Sequence, residues 1–211
     1  MHVPDGVLPM EVCAGGYAAA GALTWASLRR IARLKNPEEG IPRASILAAA
    51  FFVASWVHVP VPPSSVHLVL NGLLGVLLGS YAFPAILVGL AMQAVMFSHG
   101  GLTTLGFNAT AMGLGAIAAS LVFGAARTGA GMPSRLRAFL AGAVGVLLSA
   151  GLVSVTLIAT IPGYLDASAE RVAVGAMMLA HIPVALVEGA LTAGVVAFLL
   201  KVRPGILRAA H

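Results

Sequence analysis

An all-α polytopic membrane protein of about seven transmembrane helices, N-terminus outside and C-terminus cytoplasmic, is the fold class that this sequence predicts. Three observations predict it. Of 211 residues, 59% are hydrophobic and 9% charged, with a mean hydropathy of +0.98, whereas a soluble domain carries about 25% charged residues. Residues 44 to 126 form a run of 83 positions without Asp, Glu, Lys or Arg. The basic residues gather in three clusters, Arg29/Arg30/Arg33/Lys35/Arg43, Arg127/Arg135/Arg137 and Lys201/Arg203/Arg208, which the positive-inside rule places in the cytoplasm.

The spans follow in order. Leu8 to Leu28 supplies the first, before the opening basic cluster. The charge-free run joins two cytoplasmic clusters, so it holds an even number of crossings. Two would be far too long against about 20 residues per span, so it divides into four, at 44–59, 64–80, 83–98 and 107–126. Segments 138–161 and 171–200 complete the set. This arrangement leaves only Arg171 of the twelve basic residues outside, so the +5 charge is an orientation signal facing membrane lipid, and no nucleic acid is implied. Few strand-like alternations favour helices over a β-barrel. The longest polar stretch, Arg29 to Arg43, is only a loop, so residues 1–211 read as a single membrane-embedded domain. Met1 to Leu8 lacks a basic start and Glu11 interrupts the first apolar stretch, against a cleaved leader. One cysteine, Cys13, allows neither a disulfide framework nor a thiolate metal cluster.

The topology sorts the histidines. His2, His58, His67 and His99 fall on the outer face, His181 lies within the hydrocarbon, and His211 is terminal. Taken singly, each outer histidine also fits an interfacial polar residue; together they suggest a metal site. The start of the chain carries the chemistry. His2 is too large for removal of Met1, so the α-amine stays free. The amine, the deprotonated His2 amide and the His2 Nδ1 can close a five- and a six-membered chelate, placing three nitrogens in one plane. A fourth imidazole would complete a square-planar N4 site, the geometry of Ni(II) or Cu(II) rather than zinc. Pro4 and the turn-forming Asp5-Gly6 pair let the tail fold back toward the membrane-embedded part. The bland alternative is that Met-His is an accidental start.

Met1-His2-Val3-Pro4-Asp5-Gly6 resembles the N-terminal signature of the nickel/cobalt substrate-binding (S) components of energy-coupling-factor (ECF) transporters, the CbiM/NikM family. The resemblance continues through Pro63-Ser64-Ser65-Val66-His67-Leu68 with Asn71-Gly72. It extends through Ser98-His99-Gly100-Gly101-Leu102-Thr103-Thr104-Leu105-Gly106 with Asn108, and through His181-Ile182-Pro183 with Glu188-Gly189. The blocks run in family order over nearly the whole chain, and the His67 segment is more similar to nickel-type members. The resemblance implies a seven-helix protein of the prokaryotic cell membrane that captures Ni(II), with Co(II) the alternative, as transported substrate. It implies as ligands the Met1 amine, the His2 amide and imidazole, and the His67 imidazole. Asp5, His58, Ser65, His99, Asn108, His181 and Glu188 are the candidates for groups around the ligands. A transmembrane coupling subunit and two cytoplasmic ATPases are implied as partners, in some members with a small accessory membrane subunit.

Glu188 lies well inside the last span, where an ionisable residue needs a partner or a cavity. His181 stands two turns earlier with Pro183 between, so the pair reads either as a lower wall beneath the metal or as a helix-packing contact. Ala14, Ala18 and Ala22, beside Gly15 and Ala19, form a small-residue stripe suited to close helix approach. Internal packing and, by the resemblance, docking of the coupling subunit are the two readings. Gly72/Gly75/Gly79 and Gly113/Gly115 suit internal packing, and Trp25 and Trp56 suit interfacial anchoring. No catalytic constellation or phosphate loop stands out, so no enzyme is expected and any use of ATP belongs to partners. A membrane-embedded metalloenzyme or haem protein, and an S component for an organic vitamin, are the competing functions.

Overall fold

The computed structural model describes residues 2–54, 58–61, 64–125 and 132–209. Helix α1, Met10–Ala32, starts behind Pro9 and ends with Arg29 and Arg30 in its last turn, where cations complement the negative end of the helix dipole. A 3-10 turn, Pro37–Gly40, leads into α2, Ile41–Ala54. Strands β1, His58–Val61, and β2, Ser64–His67, then pair antiparallel with His58 opposite His67. There follow α3, Asn71–Leu78, and, after a 3-10 turn at Gly79–Tyr81, α4, Ala82–Phe97. Helices α5, Leu105–Ala125, α6, Ser134–Ala159, α7, Ala167–Val202, and the short α8, Gly205–Ala209, complete the chain.

The hairpin departs from the spans expected at 44–59 and 64–80. Pro60 is followed by Pro62 and Pro63, which remove backbone donors and clash with a preceding helical turn, while Val59, Val61 and Val66 favour extended backbone. The described part of α2 therefore reaches Ala54, extended backbone is present from His58, and α3 begins only at Asn71.

Among the described residues, four helical stretches are long and apolar enough to cross a membrane: Asn71–Phe97, Leu105–Gly124, Ser134–Ala159 and Ala167–Val202. The first is not one straight rod. Unbent, its 27 residues would extend about 40 Å, yet the rings of His67 and His99, just beyond its two ends, are 5.6 Å apart. The chain reverses at Gly79, whose φ of 54° and ψ of −118° suit a residue without Cβ. Here Tyr81 donates a hydrogen bond to the Pro37 carbonyl and its ring packs on Gly40. α3 thus runs away from the histidines and α4 returns to them.

That reversal defines the two ends of the molecule. Arg43 donates to the Ile206 carbonyl at 2.9 Å beside the Tyr81 turn, and Arg137 donates to the Phe123 carbonyl near the end of α5. The described basic clusters therefore lie at the end opposite His2, His67 and His99.

All eight residues of α3 are buried, and small residues let its neighbours approach. A Cβ on Gly72 would stand 2.7 Å from the Gly142 Cα, and one on Gly145 would stand 2.8 Å from the Gly72 Cα, so α3 and α6 touch backbone to backbone. Asn71 crosslinks this contact by donating to the Gly145 carbonyl at 3.0 Å, the Met112 carbonyl at 3.2 Å and Ser149 Oγ at 2.7 Å. On α7, Val172, Leu179 and Leu186 recur every seventh residue and are all exposed, an apolar outer face suited to lipid.

Candidate metal centre

The N-terminal segment is tied down along its length. Val3 N–H donates to Asn108 Oδ1 and Asn108 Nδ2 donates back to the Val3 carbonyl, both at 3.0 Å, so the side-chain amide pairs with the backbone as a strand would. Thr104 Oγ1 adds a 2.7 Å bond to the same carbonyl. Two residues on, Asp5 accepts from Leu102 N–H at 3.1 Å, Thr103 N–H at 2.8 Å and Thr103 Oγ1 at 2.6 Å. The Thr103 hydroxyl bond and then the backbone donors hold the Asp5 carboxyl below the ordinary carboxylate range. Val3 is 3% exposed, and Gly100, with φ +82°, brings the loop backbone against His2. The Ser98–Asn108 motif is therefore a receptor for the tail.

This latch delivers His2 to His67 and His99. The His2 and His67 rings stack at 4.9 Å between centroids, 13° from parallel, and His99 meets the His2 ring edge-on at 4.5 Å. One nitrogen from each of the three histidines lies within 4.8 Å of the others. His67 Nε2 and His2 Nδ1 are 3.2 Å apart. On His67, the other nitrogen, Nδ1, lies 2.9 Å from the Leu68 carbonyl. A carbonyl only accepts, so Nδ1 carries the proton and Nε2 presents its lone pair. Two donors at right angles, each about 2 Å from one ion, stand about 2.8 Å apart, so the pair needs little adjustment to share a metal.

Electrostatics favour the unprotonated rings. Burial, then His67 and the N-terminal amine, hold His2 well below the usual imidazole value. His67, in β2 and ahead of the candidate span at Asn71, is lowered to about 3 by burial and then by the amine. Neutral imidazole is the form that binds a metal.

Glu188 serves the same segment from below. Its carboxylate accepts the Leu70 N–H at 2.8 and 2.9 Å, and the Val69 N–H, fixing the extended stretch after His67 and the left-handed Leu70 at φ 54°. His181 is fully buried and donates Nδ1–H to the Met177 carbonyl at 2.7 Å. His181 and Glu188 thus make separate backbone contacts, each anchoring its own neighbour. Met1 lies outside the described residues, as do the side chains of His58 and Ser65. Gln93 and Thr104 were absent from the expected site residues. Both are fully buried, and neither carries the ionisable group that marks a site inside an apolar run.

A cavity of about 630 Å³ opens beside the cluster, lined by His2, His99, Met177, Glu170 and Tyr164. Tyr164 is 86% exposed, so the cavity reaches the surface at the α6–α7 loop.

Fold and site together define a multi-helix membrane protein with a histidine-lined pocket at one end. The chain belongs to the CbiM family, described as the cobalt uptake substrate-specific transmembrane region, whose model matches residues 2–206. It is 34% identical to the fused nickel transport protein NikMN of Rhodobacter capsulatus, over 98% of this chain and 64% of that one. It is 33% identical to the cobalt transport protein CbiM of Sorangium cellulosum, over 98% and 94%. A solved structure of a truncated transition metal transporter superposes with a TM-score of 0.85 at 25% identity, covering 95% of this chain and 99% of that one. The protein is therefore a multi-pass cell-membrane component of metal transport and not an enzyme. Nickel- and cobalt-named relatives stand at nearly equal identity.

Proposed function

We propose that residues 1–211 form one membrane-embedded domain that captures Ni(II) from outside the cell as the substrate-specific subunit of an ATP-driven ECF transporter. The Met1 amine, the His2 amide, His2 Nδ1 and His67 Nε2 hold the ion in a plane of four nitrogens. The observation that carries this reading is the 3.2 Å approach of His2 Nδ1 to His67 Nε2, on a tail latched at Val3 by Asn108 and at Asp5 by the Leu102–Thr103 backbone. Seven crossings with the N-terminus outside agree with the separation of basic and histidine-bearing ends, and the Tyr164 cavity supplies a route from the outer surface. Co(II) is the second reading, favoured by the cobalt-named relatives.

A transmembrane coupling subunit and two cytoplasmic ATPases supply the energy, with a small accessory membrane subunit as a further partner. The coupling subunit docks on α1, where Ala14, Ala18 and Ala22 are all exposed.

Acetylating the N-terminus leaves every side chain in place and removes one in-plane donor. Nickel binding measured by titration calorimetry is expected to fall at least 100-fold, beyond the about 10- to 100-fold effect of groups around a ligand. Unchanged affinity refutes the amine chelate and leaves a site of imidazoles.

A further inference from the structure

Gln93 is buried completely near the C-terminal end of the apolar α4. Its Nε2 donates to the carbonyls of Phe51 and Phe52 at 3.4 and 3.3 Å. These carbonyls lie in the last described turn of α2. The contact fixes the amide's orientation, because a flip would set Oε1 against two oxygens that can only accept. Oε1 is thereby committed to the opposite side. It is buried without a partner within hydrogen-bond distance, and so is His2 Nε2. Gln93 is also tied to the histidine cluster through its backbone, since its carbonyl accepts the His99 N–H at 3.2 Å and the His99 ring meets the His2 ring edge-on at 4.5 Å.

An orphaned acceptor and an orphaned ring nitrogen in one buried site form a complementary pair. Leaving both unsatisfied costs about 1–3 kcal/mol each. On the other ligand ring, the Leu68 carbonyl already plays the corresponding part, holding the proton on His67 Nδ1 so that Nε2 presents its lone pair. We propose that Gln93 Oε1 accepts the His2 Nε2–H, locking His2 in the tautomer whose Nδ1 lone pair faces the ion, so that Gln93 is a positioning residue for metal capture. The proposal rests on the metal-site reading above. Gln93 also acts on a second element, since the amide that orients His2 clamps the end of α2, and the metal ring and α2 then share one rigid link.

The test uses the full-length protein in detergent with Ni(II) as probe. In wild-type protein labelled with 15N at histidine, the Ni(II)-loaded His2 ring is expected to give an Nε2-bound proton that exchanges slowly with water. Gln93→Met keeps the volume and removes the acceptor. It is expected to speed that exchange and weaken Ni(II) binding about 10- to 100-fold, while Gln93→Glu, which restores an acceptor, recovers part of the affinity. A fast-exchanging or absent Nε2 proton in loaded wild type overturns the proposal, with no variant needed. Wild-type affinity in Gln93→Met also overturns it, and leaves the metal site standing. Failure of wild type to bind Ni(II) or Co(II) at all instead removes the metal-site reading on which the proposal stands.

Discussion

Two imidazole nitrogens 3.2 Å apart need a proton or a cation between them, since two bare lone pairs at that distance repel. The choice is set by what the far side of each ring meets: the Leu68 carbonyl for His67 and Gln93 for His2. This balance separates the histidines. His67→Ala removes an in-plane donor and is expected to weaken Ni(II) retention at least 100-fold. His99→Ala, lost from an edge-on ring, is expected to cost within the about 10- to 100-fold of a surrounding group. Equal losses in a metal-binding titration would make His99 a ligand. His2 is legible from chelate chemistry alone, because spacing along the backbone fixes ring sizes. His67 enters through its motif, and Gln93 does not stand out, because one amide in an apolar run has no spacing to read. Only the fold brings position 93 beside position 2.

At the scale of elements, apolar length is readable and chain direction is not. Hydropathy locates α5, α6 and α7 to within a few residues, since each is a single uninterrupted stretch. The segment from 44 to 98 is harder, because a hydropathy count starts the next span at Ser64, whereas Ser64–His67 pairs as a strand with His58–Val61 and the helix begins only at Asn71. The first helix shows how burial resolves an ambiguity that composition leaves open. Its inward face is Cys13, Gly16 and Ala20, where a Cβ on Gly16 would meet the Phe107 backbone, so α5 packs there. Ala14, Ala18 and Ala22 face away from the protein, and nothing lies within 4 Å of a Cβ placed on Gly15 or Gly21. Internal packing therefore does not account for the stripe. Ala18→Trp is expected to abolish co-purification with the coupling subunit while leaving Ni(II) affinity of the isolated protein within about twofold, since surface substitutions change stability by only about 0.5 kcal/mol. Intact complex formation would move the docking surface elsewhere.

The whole molecule couples its metal site to its stability, because the histidines that present lone pairs are held neutral by the packed fold. Unfolding exposes His2 and His67 to water, where an imidazole titrates near 6.5; in the folded protein both lie lower, His67 at about 3. Above about pH 7 neither state takes up protons at these rings, so their contribution to stability is complete and constant. As pH falls below about 6.5 the unfolded chain binds protons that the folded chain refuses, and each such ring removes about 1.4 kcal/mol per pH unit. The loss continues until the folded value is reached. Metal-free protein is therefore expected to melt at progressively lower temperature from pH 7 to pH 5, and His67→Gln, which removes one titrating ring, is expected to flatten that slope. Saturating Ni(II) raises the melting temperature at neutral pH, because ligand binds only the folded state, and protects less at low pH, because protons compete for the same lone pairs. Thermal unfolding in detergent across that pH range checks both. A melting temperature independent of pH, or an unchanged slope in His67→Gln, would mean that His67 takes up its proton as readily in the folded protein as in water.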